Sequence, residues 1–329
     1  MRTEARFPGV SPGAGHYESF YIKATRPGGG QGVWIRHTVH KRPDAEANAS
    51  LWFTLFDADA AGPRATKVTL PATELGVPTG AYIKVGEALL EPGRARGTAA
   101  SESLEASWDL TFDAKAEAFR HLPYGWLYRA PLPKTKFLSP YPDALFDGAV
   151  TIDGETVSLH DWPGMIGHNW GAEHAERWTW IQGCEFRGPG TGYFDAALGR
   201  IKVAGLTTPW VGNGMLWLDG VEHRLGGFER IRSTEVNDEP TECHFKLTGK
   251  GVEVTGRVSS EPGNFVAWVY ADPAGPEHNT LNCSISDLDL TVKRTGAELR
   301  RLECVGAAAY EIGMRETDHG IPLQPYPDG

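Results

Sequence analysis

The chain has 329 residues, of which 42 are acidic and 32 are Lys or Arg, so its formal net charge is −10. An acidic chain without a cluster of basic residues is not expected to bind nucleic acid. The 40 glycines and 23 prolines disfavour a helical bundle or a coiled coil. The length favours about two domains, at about 150 residues per domain.

Apolar runs in the chain are short. No stretch approaches the roughly 18 apolar residues that a membrane-spanning helix needs. Residues 1–6 also lack the apolar core of a signal peptide. We therefore expect a soluble, cytoplasmic protein without a transmembrane segment, for which transient contact with a membrane surface remains open. The oligomeric state is left open as well.

The cysteines and glycines give no sign of a cofactor. The four cysteines are Cys184, Cys243, Cys283 and Cys304. None forms a Cys-x-x-Cys pair, so zinc spacing is absent, and we expect buried free thiols rather than disulfides. The alternation of strands and helices seen in nucleotide-binding folds is missing, as is a glycine-rich phosphate loop. We expect no cofactor.

In chain order, the first local signal is a run of glycines. The glycine-rich residues 28–32 predict a flexible hairpin tip, since no strand-to-helix pattern surrounds them. Residues 104–113 alternate apolar and polar side chains, which predicts a strand with one buried face. Four prolines within residues 131–142 predict an extended linker, because proline is excluded from central strands. We therefore predict two domains, residues 1–135 and 136–329.

The second half of the chain contains clear turn signals. Asp153-Gly154 and Asp219-Gly220 each separate two strand-like segments and predict hairpins with type I′ turns. Alternation through residues 283–292 changes phase at Ser286-Asp287, which predicts a β-bulge. The predicted fold class is all-β, with two antiparallel barrel or sandwich domains. Small barrels of this kind can hold one apolar ligand.

The strongest candidate site lies between residues 162 and 195. In extended chain, His168 and Trp170 share one face, and so do Tyr193 and Asp195. If these strands are neighbours, the four side chains converge. A desolvated Asp195 would have a raised pKa and could act as a general acid, while a Trp face could stabilise a cation.

Structural interpretations of the same residues remain open. A Trp near glycines commonly packs in a core, a buried Asp often pairs with an Arg such as Arg200, and a His beside a Trp is often a hydrogen-bonded core residue. For a metal site, His168, Glu173 and His174 are the candidates, but their spacing fits no known zinc pattern. We therefore predict no metal.

The segment Gly167-His168-Asn169-Trp170-Gly171, followed by Gly192-Tyr193-Phe194-Asp195, resembles the His-x-Trp and Tyr-x-Asp motifs of the carotenoid 1,2-hydratase family. Relatives of that family include AttH-like proteins and, more remotely, tocopherol cyclase. The resemblance covers residues 160–200 closely. It implies two lipocalin-like β domains.

The resemblance also implies roles for the matched residues. Asp195 would protonate a carbon–carbon double bond, Tyr193 and His168 would orient it or relay protons, and Trp170 would face the resulting carbocation. Capture of the cation by water gives a hydratase, and capture by an internal hydroxyl gives a cyclase. The charged segment at residues 173–177 leaves room for a substrate more polar than a carotenoid.

The leading hypothesis is a cofactor-independent, acid-catalysed hydratase, cyclase or isomerase. Its substrate would be a small isoprenoid-like or polycyclic hydrophobic molecule with a carbon–carbon double bond. The expected substrate-binding residues are Trp178, Trp180, Glu173 and His174. Two alternatives stay open: a hydrophobic small-molecule binding protein without chemistry, and a pericyclase that folds its substrate and needs no proton donor.

Overall fold

The computed structural model describes residues 2–187, 192–203, 205–275 and 277–327. Strands dominate this part of the chain, and its helical segments are short 3₁₀ turns at Phe7–Gly9, Ala72–Glu74, Gly125–Tyr128, Phe228–Ser233 and Pro262–Asn264. Among the described residues, no helix combines the length and apolar character needed to cross a membrane. All four cysteines are free thiols, and three of them are buried.

The first half of the chain forms one antiparallel sheet. Its strands are β1 (His16–Thr25), β2 (Gln31–Lys41), β3 (Ala47–Asp57), β4 (Arg64–Pro71), β5 (Leu75–Gly76), β6 (Ile83–Val85), β7 (Ala88–Glu91), β8 (Arg94–Ala100), β9 (Glu105–Asp113), β10 (Phe119–Arg120), β11 (Thr135–Ile152) and β12 (Glu155–Gly171). They are ordered β4-β3-β2-β1-β12-β11-β9-β8-β7-β6-β5, with β10 paired to β11.

The second half forms another antiparallel sheet. Its strands are β13 (Arg177–Gly183), β14 (Gly192–Arg200), β17 (Val211–Leu218), β18 (Val221–Gly226), β19 (Glu235–Glu239), β20 (Glu242–Gly249), β21 (Val252–Ser259), β22 (Val266–Ala271), β23 (Glu277–Arg294) and β24 (Arg300–Met314). The order is β18-β17-β14-β13-β24-β23-β21-β20-β19, with β22 beside β23 and an additional β18–β20 pairing. The short strands β15 (Lys202–Val203) and β16 (Leu206–Thr207) pair with each other.

Both sheets curve into barrels around their own cores, so the predicted all-β fold with two lipocalin-like domains is confirmed. The alternating segment forms β9, whose even-numbered residues are buried. Both Asp-Gly pairs form hairpin turns, with positive φ at Asp153, Gly154, Asp219 and Gly220. The bulge is confirmed by register shifts between Cys283 and Leu288.

The proline-rich segment does not separate the sheets. β11 begins at Thr135 and lies between β12 and β9, in the interior of the first sheet. Its register with β12 shifts between Leu138 and Tyr141 and again between Tyr141 and Ala144, so Pro140 and Pro142 fall at irregular positions where prolines can be placed. The change of sheet falls between Gly171 and Arg177 instead of at residue 135.

The barrels pack through β1, β2 and β3, which are buried on both faces. Along β2, Val33, Ile35 and Val39 belong to the first core, whereas Trp34 belongs to the second. Alternate residues of one strand thus serve two barrels, because successive side chains point to opposite faces. The predicted hairpin tip at residues 28–32 docks on the second barrel, where Gly30 N donates to the carbonyl of Gly306 at 2.8 Å.

Candidate functional site

The main pocket lies between the two barrels. Strands of both sheets supply its walls, and its empty volume is about 1120 Å³, including its opening to solvent. The lining is mostly apolar, and its rings include Tyr17, Tyr21, Trp34, Trp178, Trp180 and Tyr270. Ligand pockets of this kind favour hydrophobic, ring-containing small molecules that a few polar groups orient.

A glycine makes room for one of these rings. A Cβ atom at Gly167 would lie 2.0 Å from Cζ of Tyr21, which is on the neighbouring strand β1. The glycine that opens the recognised motif is therefore required for packing of the pocket wall. Asn169, two residues along the same strand, also lines the pocket, and its side-chain oxygen has no hydrogen-bond partner among the described residues.

Asp195 lies on β14 and is completely buried beside the pocket. Its Oδ2 accepts a hydrogen bond from Ser139 Oγ at 2.5 Å and lies 3.2 Å from His121 Nε2. Its Oδ1 accepts a hydrogen bond from Trp180 Nε1 at 3.0 Å. His121 and Trp180 line the pocket, and Asp195 stands behind them. The carboxylate therefore reaches a ligand only through its neighbours.

The electrostatics of Asp195 differ from the expectation. Burial raises the pKa of its carboxyl, but the charge of His121 and the hydrogen bonds from His121, Ser139 and Trp180 outweigh burial. The net pKa lies below the usual range, so the prediction of a raised pKa is wrong. The missing information was the three donors that satisfy the charged form: His121 and Ser139 come from distant parts of the chain, and Trp180 comes from the neighbouring strand β13.

A second histidine–carboxylate pair is formed by His174 and Asp272. His174 Nδ1 lies 2.8 Å from Asp272 Oδ1, and the backbone N of His174 donates to the same oxygen at 2.7 Å. The ring stacks on Tyr17 with centroids 3.9 Å apart and lines the pocket. His174 Nε2 has no hydrogen-bond partner among the described residues. The pair resembles the base-and-orienter arrangement of acid–base catalysts.

The charge state of Asp272 supports that arrangement. Burial raises the pKa of Asp272, but hydrogen bonds and the charge of His174 outweigh it and leave the pKa below its usual value. An ionised Asp272 accepts the Nδ1 proton of His174. This assignment of the tautomer leaves Nε2 as an acceptor in the neutral ring and a donor in the protonated ring.

His168 makes its hydrogen bonds within the first barrel. Its Nε2 lies 2.8 Å from Glu18 Oε1, and its Nδ1 lies 2.6 Å from Thr3 Oγ1. The ring stacks on Phe20 at 4.0 Å and lies 4.6 Å from the ring of Trp170. Burial is the largest influence and lowers the pKa of His168 despite the opposing hydrogen bond and charge of Glu18.

Trp170 lines a different cleft on the first barrel. Arg6 lies over its ring at 5.0 Å, and Tyr128, Arg120 and Arg129 contribute to the same cleft. Thus His168 and Trp170 do share a face, as predicted, but the intervening Asn169 is the residue that lines the main pocket. The predicted cluster of His168, Trp170, Tyr193 and Asp195 does not form, because β12 and β14 belong to different sheets.

Tyr193 packs behind the pocket instead of lining it. Its ring stacks on Trp217 with centroids 5.9 Å apart, and its hydroxyl lies 3.9 Å from the sulfur of Met215. Burial is the main cause that raises the pKa of Tyr193. Glu173, expected to bind substrate, forms a salt bridge with Lys134 and is not among the residues that line the pocket.

Trp178 and Trp180 line the pocket, together with His174. The indole N–H of Trp178 donates to Glu311 Oε1 at 3.0 Å, as that of Trp180 does to Asp195. Both indole nitrogens are therefore occupied. These two side chains can contact a ligand through the faces of their rings. Such faces suit apolar groups or a developing cation.

Two groups of described residues have metal-ligating geometry. His174, Asp272 and His278 are largely buried, and Asp147, His160 and Asp161 lie near the surface. In the first group, both ring nitrogens of His278 and one oxygen of Asp272 have no hydrogen-bond partner within the part of the chain that the structure describes. Arg315 Nη2, however, is 3.8 Å from that oxygen and opposes a bound cation. The absence of a metal stays a prediction.

Several pocket residues were missed at the level of sequence. His121 and Glu311 line the pocket, and Asp272 is paired with His174 behind it; all three come from parts of the chain that carry no recognisable motif. Arg36 does have a signal, since it is a charged residue inside an apolar strand segment, residues 33–39. A charged residue in such a segment indicates either an exposed position or a buried position at which the charge has a function.

The relatives found by sequence are distant. No protein-family model matches the chain. Two uncharacterized proteins of Mycobacterium tuberculosis, MT0513 of strain CDC 1551 and Rv0493c of strain H37Rv, are each 23% identical over 319 residues. These alignments cover 95% of this chain and 91% of each relative.

The fold is shared with two crystal structures. An AttH-like protein (NE1406) from Nitrosomonas europaea matches with a TM-score of 0.55 at 13% identity, over 94% of this chain and 96% of that chain. Kievitone hydratase from Nectria haematococca matches with a TM-score of 0.51 at 12% identity, over 92% and 89%. The chain thus has the two-barrel fold of AttH-like proteins and of a hydratase. Carotenoid 1,2-hydratase activity stays a prediction.

Proposed function

We propose that the protein is an acid–base enzyme that adds water to, or removes it from, a hydrophobic small molecule bound between the barrels. The observation that carries this proposal is that two buried histidine–carboxylate pairs, His121–Asp195 and His174–Asp272, present their rings to one aromatic pocket. Two proton-transfer groups in a partly water-excluded pocket provide what hydration and dehydration require.

His174 is the proposed proton-transfer residue. Protonated at Nε2, it donates to one carbon of a double bond and leaves a cation on the other carbon. A water oxygen then bonds to the cationic carbon, and the proton that this water loses returns to Nε2. The sum is one water added, with the enzyme restored. If an internal hydroxyl replaces water, the same steps give a cyclisation, and loss of a carbon-bound proton gives an isomerisation.

His121 is proposed as the second polar group facing the ligand. Asp195 acts through it as a positioning residue, since Asp195 has no surface in the pocket. The rings of Trp178 and Trp180 would stabilise the transient cation from their faces. The proposal assigns no reaction step to Tyr193, His168 or Trp170, because none of them lines the pocket.

The test is a turnover assay on purified protein. A panel of unsaturated ring-containing and isoprenoid compounds is incubated with the wild type, and products are scored by gain or loss of the mass of one water. For a compound that reacts, His174→Gln and Asp272→Asn are expected to lower kcat about 10²–10⁴-fold, while ligand affinity changes little. His160→Gln is the matched control, because His160 pairs with Asp147 in the same way on the surface.

Additional measurements distinguish the proposed enzyme from a binding protein and from a pericyclase. Asp195→Asn is expected to lower kcat and to displace its pH profile, since the charge beside His121 is lost. A ligand that binds and returns unchanged would support a binding protein instead. Hydration or dehydration that His174→Gln leaves intact would contradict the proton-transfer role. A product of unchanged mass that wild type and His174→Gln form equally well would support a pericyclase.

A further inference from the structure

Arg36 is a buried cation in the wall of the main pocket. Its exposure is 4%, and it lies on β2 on the face directed at the second barrel. Its Cζ atom lies 4.0 Å from the ring centroid of Tyr270 and 5.4 Å from that of Trp52. Aromatic rings at these distances stabilise the guanidinium through cation–π contacts without neutralising its charge.

The protein supplies Arg36 with little compensation. Its Nε donates to Ser19 Oγ at 2.6 Å. Among the described residues, no carboxylate forms a salt bridge with Arg36, and no acceptor is hydrogen-bonded to its two terminal nitrogens. Removing a cation from water is unfavourable unless an anion or good acceptors replace the water. The terminal nitrogens of Arg36 therefore take their acceptors from water or from a ligand in the pocket.

The other charges around the pocket are already engaged. Glu311 accepts hydrogen bonds from Trp178, from Tyr270 at 3.4 Å and from Asn282 at 3.1 Å. Asp195 and Asp272 are paired with histidines. Arg36 differs from these groups, because its two terminal nitrogens have no hydrogen-bond partner within the described chain. Together they form a flat fork of donors.

We propose that Arg36 binds an anionic oxygen group, most directly a carboxylate, on an otherwise hydrophobic ring-containing ligand of this pocket. The fork of the guanidinium matches the two oxygens of a carboxylate, and the rings around it accommodate the hydrocarbon part of the same molecule. Anchoring one end of the ligand would fix its position relative to His174 and His121. This inference and the proposed function concern the same pocket. The inference rests on the proposed function in that respect alone, because binding of an anion requires no reaction.

The test compares a matched pair of probes, naphthaleneacetate and its primary amide, by isothermal titration calorimetry. The wild type is expected to bind the carboxylate at least about 10-fold more tightly than the amide. Arg36→Met, which keeps the bulk and removes the charge, is expected to abolish the preference while leaving affinity for the amide within about 3-fold. Arg36→Lys keeps the charge without the fork and should retain part of the preference. Arg42→Met, at an exposed position, is the control for net charge.

The outcomes of this test distinguish the anion-site proposal from the enzymatic proposal. Equal affinity of the wild type for the two probes, or no binding of either, overturns the proposal, and this comparison needs no variant to fold. A preference that persists in Arg36→Met overturns it as well. His174→Gln should keep the full carboxylate preference. If no compound is turned over but the preference is present, the enzymatic proposal fails while the anion site stands.

Discussion

His37 lies inside the first barrel with neither ring nitrogen hydrogen-bonded to a described residue. It is on the face of β2 opposite to Arg36, close to the edge of the Trp108 ring. Burial lowers its pKa from 6.5 to about 4. The same strand therefore carries a neutral polar side chain toward one core and a charged side chain toward the pocket.

This pKa predicts an acid-labile barrel. Above about pH 6.5 His37 is neutral in both the folded and unfolded chain; between pH 6.5 and 4 only the unfolded chain binds the proton, so stability falls as pH falls. The loss is on the order of 3 kcal/mol. His37→Leu is expected to flatten the pH dependence of the free energy of unfolding across this window, measured by urea titration. An unchanged slope in His37→Leu would contradict the prediction.

At the scale of elements, β12 combines four roles along one strand. Gly164 allows close approach of β1, since a Cβ there would lie 1.9 Å from the carbonyl oxygen of Lys23. Gly167 makes space for Tyr21, His168 joins Glu18 in the first barrel, and Asn169 lines the pocket. The motif at residues 167–171 is thus part of a strand whose glycines and alternating faces position the side chains of the pocket wall.

Gly167→Ala is expected to displace the ring of Tyr21 and to destabilise the protein by about 1–3 kcal/mol, as overpacking does. Affinity for pocket ligands should fall as well, because Tyr21 lines the pocket. Gly76→Ala is the control, as nothing lies within 4 Å of a Cβ at that position. Adding Tyr21→Leu to Gly167→Ala should restore part of the stability in thermal unfolding. If Tyr21→Leu restores no stability, the strain caused by Gly167→Ala does not arise from contact with the ring of Tyr21.

At the scale of the whole molecule, the first sheet contributes buried rings to the core of the second barrel. Trp34 and Trp52 of the first sheet belong to the hydrophobic cluster of the second barrel. Trp52 meets Trp268 of β22 with ring centroids 5.0 Å apart, and Trp34 lies 6.4 Å from the same ring. The pocket exists only where these surfaces meet, so its shape depends on how firmly the barrels are held together.

Trp268→Ala is expected to remove about 3–5 kcal/mol of stability, as deletion of a buried aromatic ring does. We expect the wild type to unfold in one transition, because its barrels share buried rings, and the variant to show two. Denaturant titrations followed by circular dichroism and by tryptophan fluorescence would reveal the separation. Trp126→Ala removes an exposed ring and serves as control. Coincident transitions with a small loss of stability would argue that the barrels are coupled elsewhere.

Local signals in the sequence determined the all-β fold and several of its turns. The Asp-Gly hairpins, the alternation of β9 and the bulge near Ser286 depend on backbone preferences and a two-residue period, which neighbouring residues fix among themselves. The prolines of β11 were interpreted as a linker because sequence alone does not show that bulges accommodate Pro140 and Pro142.

The composition of the site was decided by tertiary structure. Asp195 was identified from the sequence, but His121, which directly follows β10, and the hydrogen bonds from Ser139 and Trp180 give its carboxylate a lowered pKa instead of a raised one. Arg36, His174 and Asp272 come together only because the two barrels pack across β1, β2 and β3. Periodicity specifies which face of a strand a side chain occupies, whereas the packing of one sheet on another specifies what that face meets.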